Sequence, residues 1–204
     1  MVIALETASY GNSSVALLDG YKIIDCIELS EKRQVAAKLI PTIRFLLEAN
    51  SVSGNEIKTI AVDCGPGSFT GIRIGIAAAK GLADGWQAKI TGVPVFDLFP
   101  KTKSKNTDQI ILLDAKAGNN FYFELRKANG ETLRGAVNRG DIASKLLPET
   151  SNGVACGEVE ENLLENSGWE LLKEMPEINA AEIGKAAFKN PDPPAEAIYL
   201  NTLF

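Results

Sequence analysis

Histidine is absent from the 204 residues of this chain. Its own side chains therefore supply no Ser-His-Asp or Cys-His nucleophile, no imidazole metal ligand and no imidazole acid–base group. Cysteine is scarce: Cys26, Cys64 and Cys156 are odd in number, far apart and without CxxC spacing. A disulfide framework or zinc cluster is thus not expected, and all three are expected to pack as small apolar residues. No apolar run reaches the ~18 residues that a membrane span needs. Residues 2–5 are too short for the hydrophobic part of a secretory signal, which points to a cytosolic chain with no membrane contact. Positive charge is also in deficit, with 21 Lys plus Arg against 26 Asp plus Glu and a net charge of −5. Such a balance offers no basic face for holding nucleic acid unaided. The local run Lys101, Lys103 and Lys105, set among Pro100, Thr102, Ser104, Asn106 and Thr107, reads as a solvated linker. What remains is 45% apolar and 23% charged, an ordinary globular mix long enough for one large or two small domains.

The order of elements is legible. VIALE (2–6) and SVALL (14–18) read as strands, and Asp19-Gly20 before YKII is a hairpin signal because glycine tolerates a positive φ. The chain therefore opens with an antiparallel meander. Val35, Leu39, Ile43, Leu46 and Leu47 follow helical spacing from about Lys32 to Asn50, and Pro41 is expected to kink that helix or start a second segment. Ser53 to Glu56 matches a capping box, TIAVD (59–63) is the next strand, a small-residue helix runs from about Phe69 to Trp86, and KITGV (89–93) is a further strand. Beyond the linker near 100–108 the plan returns: QIILLD, a turn through Gly118-Asn119-Asn120, FYFELRK, a turn at Asn129-Gly130 and a third strand. Then come a helix near 141–147, a strand at 153–156, and helices around 159–167 and 180–189. A hairpin meander followed by alternating helix and strand is the ribonuclease H-like plan, and its duplication describes the actin-like ATPases.

Three features could carry chemistry. The loop Cys64-Gly65-Pro66-Gly67-Ser68 joins a strand to a helix but is neither a Walker A loop nor GxGxxG. Either its free amides and the helix N-terminus receive a phosphate, or Pro66 and Gly67 make the turn and Ser68 or Thr70 caps the helix. In the helix that follows, Gly71, Gly75 and Gly81 each cost about 0.8 to 1 kcal/mol against Ala. Gly71 and Gly75, one turn apart and continued by Ala78 and Ala79, leave a bare face that admits a very close neighbour, either this chain's own sheet or the helix of another chain, with Arg73 and Lys80 at its edge. Third, Glu6 and Asp114 end corresponding strands of the two halves and form a candidate pair for Mg-nucleotide across a cleft, with Thr7, Gly67 and Ser68 as further candidates. No second glycine-rich phosphate loop accompanies Asp114.

GPGSFTGIRIGIAAAKGLA (65–83) resembles the TsaB family of bacterial proteins, also called YeaZ. So do the opening LETASYGNSSVALLDG, KLIPTIRFLLEA, DAKAGNNFYFEL, VACGE and the closing AIYL. The likeness covers nearly the whole chain. It implies an α/β fold of two tandem ribonuclease H-like (actin-like ATPase, ASKHA) subdomains with mixed sheets flanked by helices, placed here at residues 1–101 and 102–204. It also implies a non-catalytic subunit that binds and activates the larger paralogue TsaD. In that scheme TsaD holds the metal and transfers from threonylcarbamoyl-AMP to make threonylcarbamoyladenosine beside the tRNA anticodon. The ATPase TsaE is a further partner, and tRNA is met only through the complex. Carried onto this chain, the contact helices are residues 33–49 and 69–85, with Val35, Leu39, Ile43, Ser68, Thr70, Gly71, Arg73, Ile74, Gly75 and Ala78 as the partner face.

The paralogue's paired histidines fall where this chain has Val95 and Phe99, so no metal site of that kind is expected. Family members often have Asp at Glu6, frequently His at Val35, and tend to end in Tyr-Leu-Arg where this chain has Tyr199-Leu200-Asn201. No cofactor is expected of the chain itself, with ATP or ADP at the partner interface left open, and a homodimer is expected when the paralogue is absent. The alternative is a stand-alone actin-like phosphotransferase using Glu6, Asp114 and the Gly65–Ser68 turn.

Overall fold

The computed structural model describes residues 1–9, 11–29, 34–102, 106–116, 118–147, 153–159, 164, 168–172, 175–189 and 194–200. The chain forms two compact units, the first Met1–Leu98 with Glu177–Tyr199, the second Phe99–Pro176 with Leu200–Phe204.

In the first unit β1 (Val2–Glu6), β2 (Ser13–Asp19) and β3 (Lys22–Leu29) form the meander, with Gly20 at φ +57° in the β2–β3 turn. β4 (Thr59–Asp63) adds parallel to β1 and β5 (Lys89–Val93) parallel to β4, giving the order β3-β2-β1-β4-β5. Strand alternation sends Ile3, Leu5, Ile60 and Val62 to one face, where they meet Leu39, Ile43 and Leu46 of α1 (Val35–Ala49) and Ala79 and Ala83 of α2 (Phe69–Trp86). Val2, Ala4, Ala16, Leu18 and Ala61 go to the other face, under α3 (Ala180–Lys189). That layer of alanines lets α3 approach closely: a Cβ on Gly184 would meet Leu18 at 2.5 Å and Ala4 at 3.2 Å. With both faces covered, β1 is buried along its length.

The second unit repeats the plan. β6 (Asp108–Asp114), β7 (Asn120–Arg126) and β8 (Thr132–Asn138) are antiparallel, and β9 (Gly153–Gly157) and β10 (Trp169–Leu171) add in parallel, for the order β10-β9-β6-β7-β8. The central strand, its antiparallel neighbours and its parallel neighbours correspond one to one with those of the first sheet. Ile110, Leu112, Phe121, Phe123, Leu125 and Trp169 make its core.

Several expectations are corrected. The sequence groups residues 102–204 as one subdomain, whereas α3 supplies the second cover of the first sheet, because its apolar stripe of Ala180, Ile183 and Ala187 fits the alanine face there. α1 is one helix through Pro41, whose ring lies on the exposed side. The Ser53–Glu56 capping box is real, with the Ser53 amide donating to Glu56 Oε1 at 2.9 Å, but it opens only a three-residue 3₁₀ turn. The helix expected at 141–147 is a 3₁₀ turn followed by a π turn over Ile142–Leu146. Cys64 and Cys156 are buried, but Cys26 is exposed because β3 is an edge strand. Most of the helix expected at 159–167, and Lys103, Lys105 and Asn201, lie outside the described residues.

Candidate functional site

β1 and β4 run parallel with Leu5 opposite Val62, so the next residues, Glu6 and Asp63, end their strands side by side. Both are wholly buried. The chain turns sharply after each, and each carboxylate holds its own turn: the Ser9 amide donates to Glu6 Oε1 at 2.6 Å, and the Gly65 amide to Asp63 Oδ1 at 2.7 Å. The two turns are tied together where the Ser68 amide donates to the Ala8 carbonyl at 2.6 Å. Ser68 then caps α2, its Oγ accepting from the Gly71 amide at 3.2 Å.

The glycines of this region belong to that junction. A Cβ on Gly67 would lie 2.2 Å from the Ala8 carbonyl oxygen, on Gly71 1.9 Å from the Thr7 carbonyl oxygen, and on Gly75 2.3 Å from Thr7 Oγ1. The Thr7 hydroxyl in turn donates to the Gly71 carbonyl at 2.8 Å. Gly71 and Gly75 therefore face this chain's own first turn, which corrects their assignment to a partner: spacing marks a close neighbour but not which chain supplies it. Gly81 and Gly85 are different, with nothing within 4 Å of a built Cβ. Leu39 and Ile43 are corrected likewise. They are the inner stripe of α1 and lie in the core, and Val35 is buried at its start.

Above the junction lies a cavity of about 250 Å³ lined by Thr7, Ser9, Gly11, Ser13, Val35, Ser68, Thr70, Gly71 and Ile74. It is rich in hydroxyls, and the α2 N-terminus opens into it. Beneath it, burial pushes the Glu6 carboxyl up to about 7 and the Asp63 carboxyl well above the usual range. Asp63 is the site residue that sequence reasoning misses. The signal available is an acid closing a buried strand, but only the β1–β4 register puts it beside Glu6. Asp114, the acid expected to work with Glu6, lies in the second unit. There its Oδ1 accepts from the Lys116 amide at 2.7 Å, its Oδ2 pairs with Lys116 Nζ at 3.2 Å, and Arg139 stands at 4.0 Å. The Lys116 amide and charge hold its carboxyl below the ordinary value. Among the described residues no three His, Cys, Asp or Glu side chains cluster as metal ligands.

The outer faces of α1 and α2 form a second surface. Ile40 and Phe45 are exposed, and a groove of about 360 Å³ runs between Ile40, Arg44, Leu47, Leu82 and Trp86. At the α2 N-terminus Arg73 stacks 3.8 Å over the Phe69 ring and donates Nε to the Tyr199 hydroxyl at 3.2 Å, with the two rings 5.2 Å apart. Thr70 and Arg73 are exposed, and Ile74 and Ala78 half-buried.

The family model described as TsaD: tRNA N6-adenosine threonylcarbamoyltransferase matches residues 22–151, more than half of the chain. The chain belongs to this family. Within it the resemblance is to TsaB. The tRNA threonylcarbamoyladenosine biosynthesis protein TsaB of Escherichia coli is 30% identical over 151 residues, 72% of this chain and 64% of that protein, so the match spans less than two thirds of that relative's length. TsaB of Buchnera aphidicola subsp. Schizaphis graminum is 24% identical over 181 residues, 85% of this chain and 81% of that protein. The structure titled YeaZ from Pseudomonas aeruginosa superimposes with a TM-score of 0.69 at 21% identity, over 98% of this chain and 99% of that one. That likeness shows the fold: α/β, two tandem ribonuclease H-like subdomains with mixed sheets flanked by helices. No helix among the described residues is long and apolar enough to cross a membrane.

Proposed function

We propose that this chain is a non-catalytic cytoplasmic subunit that binds and activates a TsaD-type paralogue in forming threonylcarbamoyladenosine on tRNA. The observation that carries this reading is the contrast between its two surfaces. The acids that could serve chemistry are sealed or paired, Glu6 and Asp63 by burial and Asp114 by Lys116. The outer faces of α1 and α2 meanwhile leave Ile40 and Phe45 in solvent, and Phe69 in solvent beneath Arg73. Burying large aromatic and arginine side chains at the centre of a contact is what stabilises an interface. The bare surface at Gly81 and Gly85 takes the role first given to Gly71 and Gly75. A TsaE-type ATPase joins the same assembly, tRNA is met through the complex, any ATP or ADP sits at the partner interface, and a second copy of the chain covers the face when the paralogue is absent. The alternative phosphotransferase is disfavoured because an Mg-nucleotide needs carboxylates that are both accessible and free, and Glu6 is buried while the partly exposed Asp114 is engaged by Lys116.

Size-exclusion chromatography of the chain with the paralogue tests the reading through Gly81→Leu. Bulk at Gly81 meets open space and leucine is the better helix former, so the variant is expected to melt no lower than the parent and to bind the paralogue at least ~10-fold more weakly, about 1.4 kcal/mol. Undiminished binding by a folded Gly81→Leu chain overturns this choice of face.

A further inference from the structure

That reading uses the Glu6–Asp63 pair only as acids sealed from chemistry, and their own arrangement is left unexplained by it. Each carboxylate gives one oxygen to a backbone amide, Ser9 for Glu6 and Gly65 for Asp63. The other two oxygens, Glu6 Oε2 and Asp63 Oδ2, are buried and receive no donated hydrogen among the described residues. The β1–β4 register sets the two carboxyl groups side by side, where each bears on the other, and the Ser9 hydroxyl and Ala8 amide also approach Glu6. Two anions there would repel in a site that water does not reach, whereas one proton between them makes an O–H···O⁻ bond, the strongest kind a carboxyl can form. The amides they hold belong to the two turns that floor the cavity at Thr7, Ser9 and Ser68.

We propose that Glu6 and Asp63 share a structural proton that clasps the turn after β1 to the loop leading into α2, and that removing this proton loosens the floor of the cavity.

The surroundings leave the proton as the neutralising charge. β2 brings Ser14 beside Glu6 and β5 brings Val93 beside Asp63. The following loop brings the Cys64 thiol, pushed up to about 12 by burial and by Asp63, and Glu196 adds negative charge near it. On α2, Arg73 is held by Phe69 and Tyr199, and Lys80 and Asp84 are exposed. On α3, Glu182 pairs with Lys185 at 2.7 Å, and Asp97 follows β5 half-buried. Among the described residues the charged group acting on Asp63 is Glu6. The raised values fix the sign of the pH dependence. A carboxyl with a folded pKa above its unfolded value contributes fully below the unfolded value, and that contribution is lost as pH rises to the folded one. For Glu6 the loss runs from about 4.5 to about 7; for Asp63 it continues higher.

The test compares thermal unfolding of the full chain and of Asp63→Asn from pH 5 to 9, with Ser9 and Gly65 amide shifts of the parent followed by NMR. The side-chain amide introduced by Asp63→Asn is expected to keep its oxygen for the Gly65 amide and to donate its nitrogen to Glu6 Oε2 at every pH. The parent is then expected to lose about 3 °C per pH unit between pH 5 and 7 relative to Asp63→Asn, from one proton's linkage, and to melt below it at pH 8. The Ser9 and Gly65 amides should titrate together with midpoints at or above 7. Parallel melting curves overturn the clasp. If Asp63→Asn does not fold, the amides of the parent decide: midpoints in the ordinary carboxylate range, or no titration, overturn it. So does a midpoint that moves on adding MgCl₂ alone, which would put a cation where the proton is proposed.

Discussion

Gly71→Ala is expected to destabilise the first unit by about 3 kcal/mol, although alanine is the better helix former. The added methyl lies 1.9 Å from the Thr7 carbonyl oxygen and 2.9 Å from its carbon. The obstacle is backbone, so no rotamer change relieves it, and overpacking of this kind costs about 1–3 kcal/mol or more. Retreat of α2 also breaks the Thr7 hydroxyl's bond to the Gly71 carbonyl and strains the Ser68–Ala8 bond that joins the two turns. Against these losses stands a propensity gain of about 1 kcal/mol. Gly81→Ala supplies the control on the same helix: with nothing within 4 Å of the new methyl, it keeps the gain alone. Urea unfolding of the two variants should therefore move the midpoint in opposite directions. Equal stability of Gly71→Ala and the parent contradicts the packing described.

In the second unit, Glu124→Gln is expected to cost about 3 to 5 kcal/mol, the range for breaking a buried ion pair from one side. Glu124 is 1% exposed and meets Arg126 Nε through Oε1 and Arg134 Nε through Oε2, each at 2.5 Å. Arg126 also donates to the Phe99 carbonyl at 3.0 Å and to Gln109 Oε1 at 3.1 Å, and Gln109 Nε2 donates to the Pro100 carbonyl at 2.8 Å. One buried carboxylate thus anchors the arginine that fixes the start of the unit to its sheet. The amide keeps the shape but removes the charge, leaving Arg126 desolvated without its carboxylate. Exchange of the backbone amides in β7 and β8 should speed up while those of β1 and β4 hold. A variant as protected as the parent in β7 contradicts the role given to Glu124. Replacing Glu124, Arg126 and Arg134 together with apolar residues is expected to recover much of the loss.

The duplicated plan is legible because its local signals occur twice: turn residues at Asp19-Gly20 and at Asn129-Gly130, each between alternating strands. Turn chemistry is a short-range property, so one sequence carries it without alignment. The place of α3 is not legible. Its apolar stripe says that it covers a sheet, not which of two, and the deciding fact is an alanine layer formed by Ala4, Ala16 and Ala61 on three strands. The site divides the same way. Glu6, Thr7 and Ser68 stand out from strand ends and glycine signals, and the structure brings them to one junction. Sequence reasoning passes over Asp63 and prefers Asp114, because strand register is a long-range property that the sequence carries only through the finished sheet. Gly71 and Gly75 announce a close neighbour correctly, yet the neighbour is Thr7 of this chain.

Partner activation is the claim on which the functional reading rests, and reconstitution reads it most directly. This chain, its TsaD-type paralogue and a TsaE-type ATPase are incubated singly and together with unmodified tRNA and threonylcarbamoyl-AMP, and the modified adenosine beside the anticodon is quantified. The account predicts no product from this chain alone, and product from the mixture well above that of the same mixture lacking it. Full yield without this chain, or product formed by this chain alone, would contradict it.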